Sequence, residues 1–194
     1  MGPILRSGII ALLLGLAACA PQYAVVENTQ QQIGPLGVNP TQQWNEVPKT
    51  HSIGRKPTWT VNGVTLDSLT FFVDVKDGEA LLSSQGKEDK SYPTYASDML
   101  PHELVEMVEK TFAVELSANI SESGELAPVT FGGQPGFEFE FRYITPDELK
   151  RRAYVIGAIK NETLNVVVFQ AAALHYFDKI LPSARSMLRG ASVE

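Results

Sequence analysis

A strictly alternating run of aromatic and charged side chains most restricts how this sequence can fold. Residues 137–143 read FEFEFRY. In an extended chain this run gives an aromatic row and a charged row: Phe137, Phe139, Phe141 and Tyr143 on one face, and Glu138, Glu140 and Arg142 on the other. A period of two residues is that of a β-strand, and one apolar face with one polar face is typical of a half-buried antiparallel strand. The run therefore predicts a strand with the aromatic row in the core and the charged row in solvent.

Several other segments have strand and turn signals. Asn-Gly at residues 62–63, between apolar and β-branched residues, predicts a hairpin with a two-residue type I′ turn. Residues 69–75, 153–160 and 164–173 are rich in apolar and β-branched residues and predict three further strands. FGGQPGF at residues 131–137 predicts a hairpin turn, since no helix follows it as an anion-binding loop would require.

Two segments have helical periodicity. Residues 99–115 repeat apolar side chains every fourth position, at Leu100, Leu104, Val108 and Phe112. Asp98 is placed to cap this helix, and Pro101 falls in the first turn, where proline is tolerated. Residues 174–189 predict a second amphipathic helix, which Pro182 is expected to kink or restart.

These elements predict one α+β domain over residues 44–194, with a mainly antiparallel sheet packed between helices. Residues 83–98 are polar and form a surface loop in this prediction. The predicted core comprises Leu104, Val108, Phe112, Phe139, Val168, Phe177 and Leu188. A single cysteine excludes an internal disulfide, so the domain must be held by packing.

The C-terminal part resembles a known fold family. Residues 125–190 run through a glycine turn, an aromatic alternating strand, a strand with a basic start, a strand ending in small residues and an amphipathic terminal helix. This order of elements resembles the end of the PsbP/Mog1-like fold and implies an α/β/α sandwich. Members include photosystem accessory proteins, a nuclear transport factor and periplasmic lipoproteins, so the resemblance implies a binding or assembly scaffold more often than an enzyme.

The N-terminus predicts an export signal and a lipid anchor. Arg6 precedes an apolar run at residues 8–18, which is shorter than the ~20 residues of a permanent membrane span and fits a signal peptide over residues 1–18. The sequence LAAC at residues 16–19 resembles the lipobox of bacterial lipoproteins. The resemblance implies cleavage before Cys19 and acyl chains on its sulfur and amine, which would hold the protein at the membrane. The alternatives are an ordinary signal peptide with an incidental cysteine, or a buried core thiol.

A polar segment follows the cysteine. Residues 19–43 are rich in Gln, Asn, Pro and Gly, and they predict a lipidated N-terminus with a flexible linker. The alternative is that residues 23–26 pack as a strand on the edge of the domain. Ala20 provides no inner-membrane retention signal of the enteric lipoprotein type. If the host is Gram-negative, we therefore expect the outer membrane, with the domain facing the periplasm.

Charge and motifs restrict the function classes. The formal net charge is −6, with no stripe of Lys and Arg, so a nucleic-acid partner is not expected. The sequence contains no nucleophile elbow, phosphate loop or dinucleotide fingerprint. His102 and Glu106 have a metal-ligand spacing, but the second histidine of a zinc-protease motif is absent, so a surface histidine is the preferred interpretation. We expect no catalytic residues, no metal and no cofactor.

Three function classes remain. The first is a non-catalytic binding or assembly module of the envelope with an unidentified protein or envelope partner. The second is a carrier of an apolar ligand between helix and sheet, and the third is an enzyme without a recognisable local motif. The predicted partner surface comprises Glu138, Glu140, Arg142, Lys150, Arg151 and Arg152. Charge reversal of Arg151 and Arg152 is expected to weaken partner capture and to leave the melting temperature nearly unchanged.

Overall fold

A computed structural model describes residues 22–84 and 90–193. The predicted signal peptide, Cys19 and the charged residues 87–89 of the predicted surface loop lie outside the described residues. The strands are β1 (Ala24–Val26), β2 (Gln31–Ile33), β3 (Leu36–Val38), β4 (Trp44–Glu46), β5 (Thr58–Thr60), β6 (Asp67–Val75), β7 (Asn119–Ser123), β8 (Ala127–Phe131), β9 (Gln134–Ile144), β10 (Lys150–Lys160), β11 (Thr163–Ala172) and β12 (Ser192–Val193). The helices are α1 (Pro101–Leu116) and α2 (Tyr176–Arg189).

The strands form two antiparallel sheets. The main sheet has the order β1-β4-β5-β6-β11-β10-β9-β7, and β8 pairs with the first half of β9. The long central pairs β9–β10 and β10–β11 include Val155, which lies opposite Phe139 on one side and Val168 on the other. A small sheet has the order β12-β3-β2 and joins the two ends of the described chain.

The two faces of the main sheet carry separate apolar layers. One core packs α1 against the face that holds Phe72, Phe139 and Val168. The other packs α2 and the small sheet against the face that holds Phe71 and Phe169. The predicted α+β class, with a mainly antiparallel sheet between helices, is confirmed, and all seven residues of the predicted core are buried. No described helix has both the length and the apolar character of a membrane span.

The aromatic row of β9 is part of the α1-side core, as its alternation predicts. Neighbouring rings along the row lie 5.8–6.4 Å apart between centroids. Phe112 of α1 meets Phe141 edge-on at 6.0 Å, the geometry that the quadrupoles of two rings favour. The row is at most 5% exposed, so it fills the core and does not line an open groove for an apolar ligand.

The hairpin at Asn62-Gly63 differs from its prediction. A type I′ turn needs a positive φ at both residues, but only Gly63 has one. β5 ends at Thr60 and β6 begins at Asp67, so six residues connect the strands. The Asp67 carboxylate closes this loop by accepting hydrogen bonds from Thr60 Oγ1 and from the backbone N–H groups of Val61 and Asn62. This local side-chain cap replaces the tight turn.

The flexible linker predicted over residues 19–43 is wrong from residue 24 onwards. β1 pairs with β4 along the edge of the main sheet, as in the alternative interpretation of residues 23–26. β2 and β3 form a hairpin, and Leu36 and Val38 of β3 are fully buried in the core on the α2 side of the main sheet. The folded part therefore begins near residue 24 and not at residue 44, because long-range pairing stabilises segments whose composition suggests a linker.

Both helices begin slightly later than predicted. α1 begins after Leu100, and the carboxylate of Glu103 accepts a hydrogen bond from the Leu100 N–H at 2.7 Å, so Asp98 is not the cap. Pro101 occupies the first turn as predicted. α2 continues through Pro182 as one helix, and Gly190 follows its last residue.

Candidate functional site

Two members of the charged row of β9, Glu138 and Glu140, lie under α2 and not in open solvent, which corrects their prediction, whereas Arg142 is exposed as predicted. Glu138 accepts a hydrogen bond from the Tyr154 hydroxyl at 2.6 Å and two from the guanidinium of Arg189. Only 12% of the Glu138 side chain is exposed. Tyr154 belongs to β10 and Arg189 to the last turn of α2, so Glu138 ties the helix to two strands.

Glu140 makes a second, parallel connection. Its carboxylate accepts from Arg185 of α2 at 2.7 Å and from Arg152 of β10 at 2.9 Å. Arg152 also donates to Asp178 in the first turn of α2 at 2.7 Å. The acids and bases thus alternate along this face, which we call the α2 clamp: Glu138, Glu140, Arg152, Asp178, Arg185 and Arg189.

Aromatic rings support the arginines of the α2 clamp. The guanidinium of Arg152 lies 4.1 Å from the ring centroid of Phe177, and that of Arg185 lies 4.5 Å from the ring centroid of Tyr154. Such stacking holds a planar cation in place while its N–H groups remain free to donate. The α2 clamp therefore fixes the position of α2 on the sheet.

The clamp also sets the protonation of its members. Burial acts to raise the pKa of Glu138, but hydrogen bonds from Arg189 and Tyr154 and the charges of Arg189 and Arg185 outweigh it and lower the pKa. Burial, followed by the hydrogen bond to Glu138, raises the pKa of the Tyr154 hydroxyl. Glu138 is therefore ionised near neutral pH and Tyr154 remains its proton donor.

A cleft of about 300 Å³ opens beside the clamp, between α2 and the segment that joins β7 to β8. Arg142 lines it and pairs with Glu122 of β7. Both side chains of this pair are more than half exposed, so the pair contributes little to stability. Of the six residues of the predicted partner surface, Arg142 and Lys150 are thus the exposed ones.

Arg151 points to the opposite face of the sheet from the clamp and is only 7% exposed. β10 begins at Lys150, so Arg151 lies within a strand. Arg151 donates from Nε to the Tyr143 hydroxyl at 3.0 Å and from Nη1 to the carbonyl of Thr65 at 2.7 Å. The structure therefore does not place Arg151 on one surface with Glu138, Glu140 and Arg152.

Arg151 begins a row of buried polar side chains that crosses the α1-side face of the sheet. The Tyr143 hydroxyl donates to Gln170 Oε1, and Gln170 Nε2 donates to Ser68 Oγ at 3.0 Å. Thr70 and Thr58 continue the row, with their hydroxyl oxygens 3.3 Å apart. Burial raises the pKa of Tyr143 to about 12, although Arg151 opposes this shift, so the hydroxyl keeps its proton.

The row forms the floor of a groove at the C-terminal end of α1. Two cavities of about 330 and 320 Å³ share Thr50, Ser52 and Glu115 in their walls. We call the combined cleft the polar groove. Its floor is made by Thr58, Ser68, Thr70 and Gln170. Its rim includes Lys49, His51, Arg55, Lys90 and Tyr92.

The outer wall of the polar groove is a short 3-10 turn at Ile53–Arg55. Gly54 has a φ of 53°, and a Cβ at this position would lie 2.3 Å from Leu82 Cδ2, so the close approach of the wall requires glycine. Arg55 also adopts a left-handed φ, of 58°. Lys90 donates to the Glu115 carboxylate at 3.2 Å and to the Glu115 carbonyl at 2.9 Å, so it neutralises the end of α1.

The three histidines lie on separate elements. His102 is an exposed residue of the first turn of α1, and His175 precedes α2. His51 lies in the polar groove with Nδ1 2.9 Å from Thr50 Oγ1. Within residues 22–84 and 90–193 no group of three or more His, Cys, Asp or Glu side chains is placed to hold a metal ion.

Sequence reasoning did not identify the polar groove. Its residues come from the segment before β5, from β5, β6 and β11, from the connections that follow β5 and β6, and from the end of α1, so no local motif joins them. One signal was available: Ser68, Thr70 and Gln170 occupy strand positions whose alternation places them on a core face. Polar residues at such positions are expected to have a structural or binding role.

No protein-family model matches this chain, and no curated protein matches it significantly. Among solved structures, cyanobacterial PsbP (CyanoP) from Synechocystis sp. PCC 6803 is 12% identical, with both chains covered completely and a TM-score of 0.58. LpqN, which is involved in cell envelope biogenesis of Mycobacterium tuberculosis, is 12% identical over 91% of this chain and 87% of LpqN, with a TM-score of 0.33, too low to indicate a shared fold. The likeness to CyanoP shows that this chain has a PsbP-like fold.

Proposed function

We propose that the chain is a lipid-anchored envelope protein whose domain binds or helps to assemble a protein or envelope component and does not catalyse a reaction. The observation that carries the proposal is the position of β1. It begins at Ala24, five residues after Cys19. Five residues span at most about 18 Å when fully extended. Acyl chains on Cys19 would therefore hold the edge of the sheet close to the membrane surface.

The chemistry of the described side chains supports binding over catalysis. Glu138 and Glu140, the two neighbouring acids of β9, each form ion pairs with arginines of the α2 clamp. The Thr50–His51 contact in the polar groove joins neighbouring residues of an exposed segment, and no carboxylate hydrogen-bonds the His51 ring within the described part of the chain. A hydroxyl–imidazole pair without an orienting third group is a poor nucleophile.

Membrane fractionation tests the anchor. The wild-type chain is expected in the membrane fraction after a carbonate wash, and Cys19→Ser is expected in the soluble fraction, because no other described segment provides a span. In a Gram-negative host the wild-type protein should follow outer-membrane markers and be protected from protease in intact cells. A Cys19→Ser chain that stays with the washed membranes would refute the proposal.

A linker insertion tests the close approach to the membrane. A photo-crosslinking residue at Val25, which is 58% exposed on β1, should label lipid or membrane protein. Insertion of about 20 Gly and Ser residues before residue 22 lengthens the reach several-fold and should reduce this labelling while membrane fractionation is retained. Equal labelling with and without the insertion would contradict a short tether.

A crosslinking pull-down from the native envelope is the test of the binding role. Charge changes on the exposed residues Arg142 and Lys150 are expected to weaken capture of the partner, because exposed charges orient binding through complementary fields. Lys110→Glu on the exposed face of α1 is the matched control. Turnover of a substrate by the purified protein, abolished by a single side-chain substitution, would show that the non-catalytic interpretation is wrong.

A further inference from the structure

The segment that joins β4 to β5 is cationic and contains no acid. Residues 47–57 read VPKTHSIGRKP, with Lys49, Arg55 and Lys56 but no Asp or Glu, in a chain whose formal net charge is −6. None of these three side chains forms an ion pair within residues 22–84 and 90–193. Lys49 and Arg55 are exposed. This stretch, which we call the cationic segment, therefore carries positive charge that no described acid neutralises.

The fold brings two of these charges to one side of the molecule. The Val47 N–H donates to the Thr58 carbonyl at 2.8 Å and closes the base of the cationic segment, so the residues between them project from the sheet as a loop. Lys49 and Arg55 both line the cavity of about 330 Å³, whose wall also includes Glu115 of α1. Their charges therefore lie together on the α1 side of the main sheet, where Glu115 already forms an ion pair.

The chain enters β1 next to the cationic segment. β1 is antiparallel to β4, with Ala24 opposite Glu46. Residues before Ala24 therefore lead in the direction of Val47 and Lys49, which follow β4. Cys19 precedes Ala24 by five residues, a span of at most about 18 Å. Acyl chains on Cys19 would bring the cationic segment within reach of the headgroups of the same membrane.

The same edge of the sheet exposes two apolar side chains. Tyr23 is 40% exposed and Val25 is 58% exposed. Glu46 pairs with Trp59, a residue of the α2-side core, so alternation points Glu46 to the α2 side and Val25, opposite Asn45, to the α1 side. Val25, and Tyr23 two residues before it, therefore share a side with the cationic segment, and the nearest acid of β4 does not. Aromatic and aliphatic side chains beside unpaired cations are typical of a protein surface that lies in the membrane interface.

From these observations we infer that β1 and the cationic segment form a surface that docks on anionic phospholipid headgroups. Lys49, Arg55 and Lys56 contact the phosphates, and Tyr23 and Val25 lie at the level of the headgroups. Each cation near an anionic membrane surface favours the docked state by about fivefold. This inference deepens the proposed function and rests on its acyl anchor, because the anchor holds the chain at the membrane and docking sets which side of the domain faces the lipid.

Fluorescence quenching of the mature protein tests the docking. The protein is purified from its native membrane and reconstituted into phosphatidylcholine vesicles with or without phosphatidylglycerol. A fluorophore on Thr50→Cys, in the cationic segment, should be quenched by spin-labelled headgroups when phosphatidylglycerol is present. The quenching should be weaker without this lipid or in high salt, because salt screens the attraction between charges. Ser121→Cys, exposed on β7 at the opposite edge of the main sheet, is the matched control and should remain unquenched.

Charge variants assign the docking to the cationic segment. In the Thr50→Cys background, Lys49→Gln and Arg55→Gln should each lower the ratio of docked to undocked protein by about fivefold, since each removes one cation. The double variant should lower this ratio by about 25-fold. Lys179→Gln, which removes an exposed cation of α2 on the other side of the sheet, is the matched control and should leave the quenching unchanged.

Three results would overturn the inference: equal quenching at Thr50→Cys with and without phosphatidylglycerol, equal quenching at Thr50→Cys and Ser121→Cys, or undiminished quenching in the double variant. The substituted positions of the cationic segment are exposed, so the variants should fold. The same samples report on the anchor separately. A chain that does not float with the vesicles, or that takes a second label on a free Cys19, rejects the anchor. A floating chain that takes one label and gives one of the three results rejects only the docking.

Discussion

At the scale of single residues, Arg151 is a charged side chain buried on the α1-side face of the sheet. A guanidinium buried on a sheet face loses its hydration, and here it is compensated by two hydrogen bonds to neutral oxygens. Charge reversal at this position would leave the Tyr143 hydroxyl and the Thr65 carbonyl facing a buried carboxylate. The sequence-based expectation of an unchanged melting temperature on reversal of Arg151 and Arg152 therefore does not fit the position of Arg151.

We predict that Arg151→Glu lowers the free energy of unfolding by about 3–5 kcal/mol, the range for a buried charge that has lost its partners. Lys150→Glu, one residue earlier and exposed, should change it by less than about 0.5 kcal/mol. Urea unfolding followed by circular dichroism measures both. Equal, small effects of the two substitutions would mean that Arg151 is accessible to solvent.

Glu138 is expected to make a contribution to stability that depends on pH. Its pKa is lower in the folded state than the ordinary carboxyl value of 4.5, so folding is favoured by its ionised form. The stabilisation that ionised Glu138 provides is fully present at a pH above its pKa in the unfolded chain. It is lost as the pH falls through its pKa in the folded state. The stability difference between the wild type and Glu138→Gln should therefore be largest near pH 7 and shrink below about pH 4.5. Denaturant melts from pH 3 to pH 7 measure it, and a difference that is independent of pH would contradict the assignment.

At the scale of elements, periodic segments were predictable and short ones were not. The aromatic strand β9, the strands β10 and β11, and both helices have enough residues for their period to identify them. β1, β2 and β3 have three residues each, interrupted by Pro, Gly and Gln, so no period is visible. They exist because β4 and β12 supply partners that are distant in sequence.

A substitution in β3, within the segment whose composition resembles a linker, should have a clear effect on stability. Leu36→Ala should destabilise the protein by about 2–5 kcal/mol, because Leu36 is fully buried in β3. Val25→Ala, at an exposed position of β1, should cost less than about 0.5 kcal/mol. Chemical denaturation compares the two. If Leu36→Ala is as mild as Val25→Ala, the segment is not packed in solution. The prediction of a flexible linker over residues 19–43 would then be correct.

The two sites differ in how far the sequence could reveal them. Glu138 and Glu140 were identified by the alternation of β9, but their partners Arg185 and Arg189 lie on α2, and only the packing of α2 converts a solvated row into the α2 clamp. The polar groove depends on several segments that meet only in the folded chain. Its one trace in the sequence is a set of polar residues at core positions of β6 and β11.

At the scale of the whole molecule, the PsbP-like domain begins almost directly after the proposed anchor. Because β1 begins five residues after Cys19, an acylated chain would not extend far from the membrane. A short tether of this kind is consistent with the proposed role of an envelope-bound domain.

Intact-mass spectrometry of the mature protein from its native membrane tests the central claim most directly. We predict that the chain begins at Cys19 and carries two or three acyl chains, which removes residues 1–18 and adds the lipid mass to the remaining sequence. Cys19→Ser should yield a chain without the lipid mass. A mature protein with an unmodified Cys19, or one that retains residues 1–18, would contradict the account of a lipid-anchored binding domain.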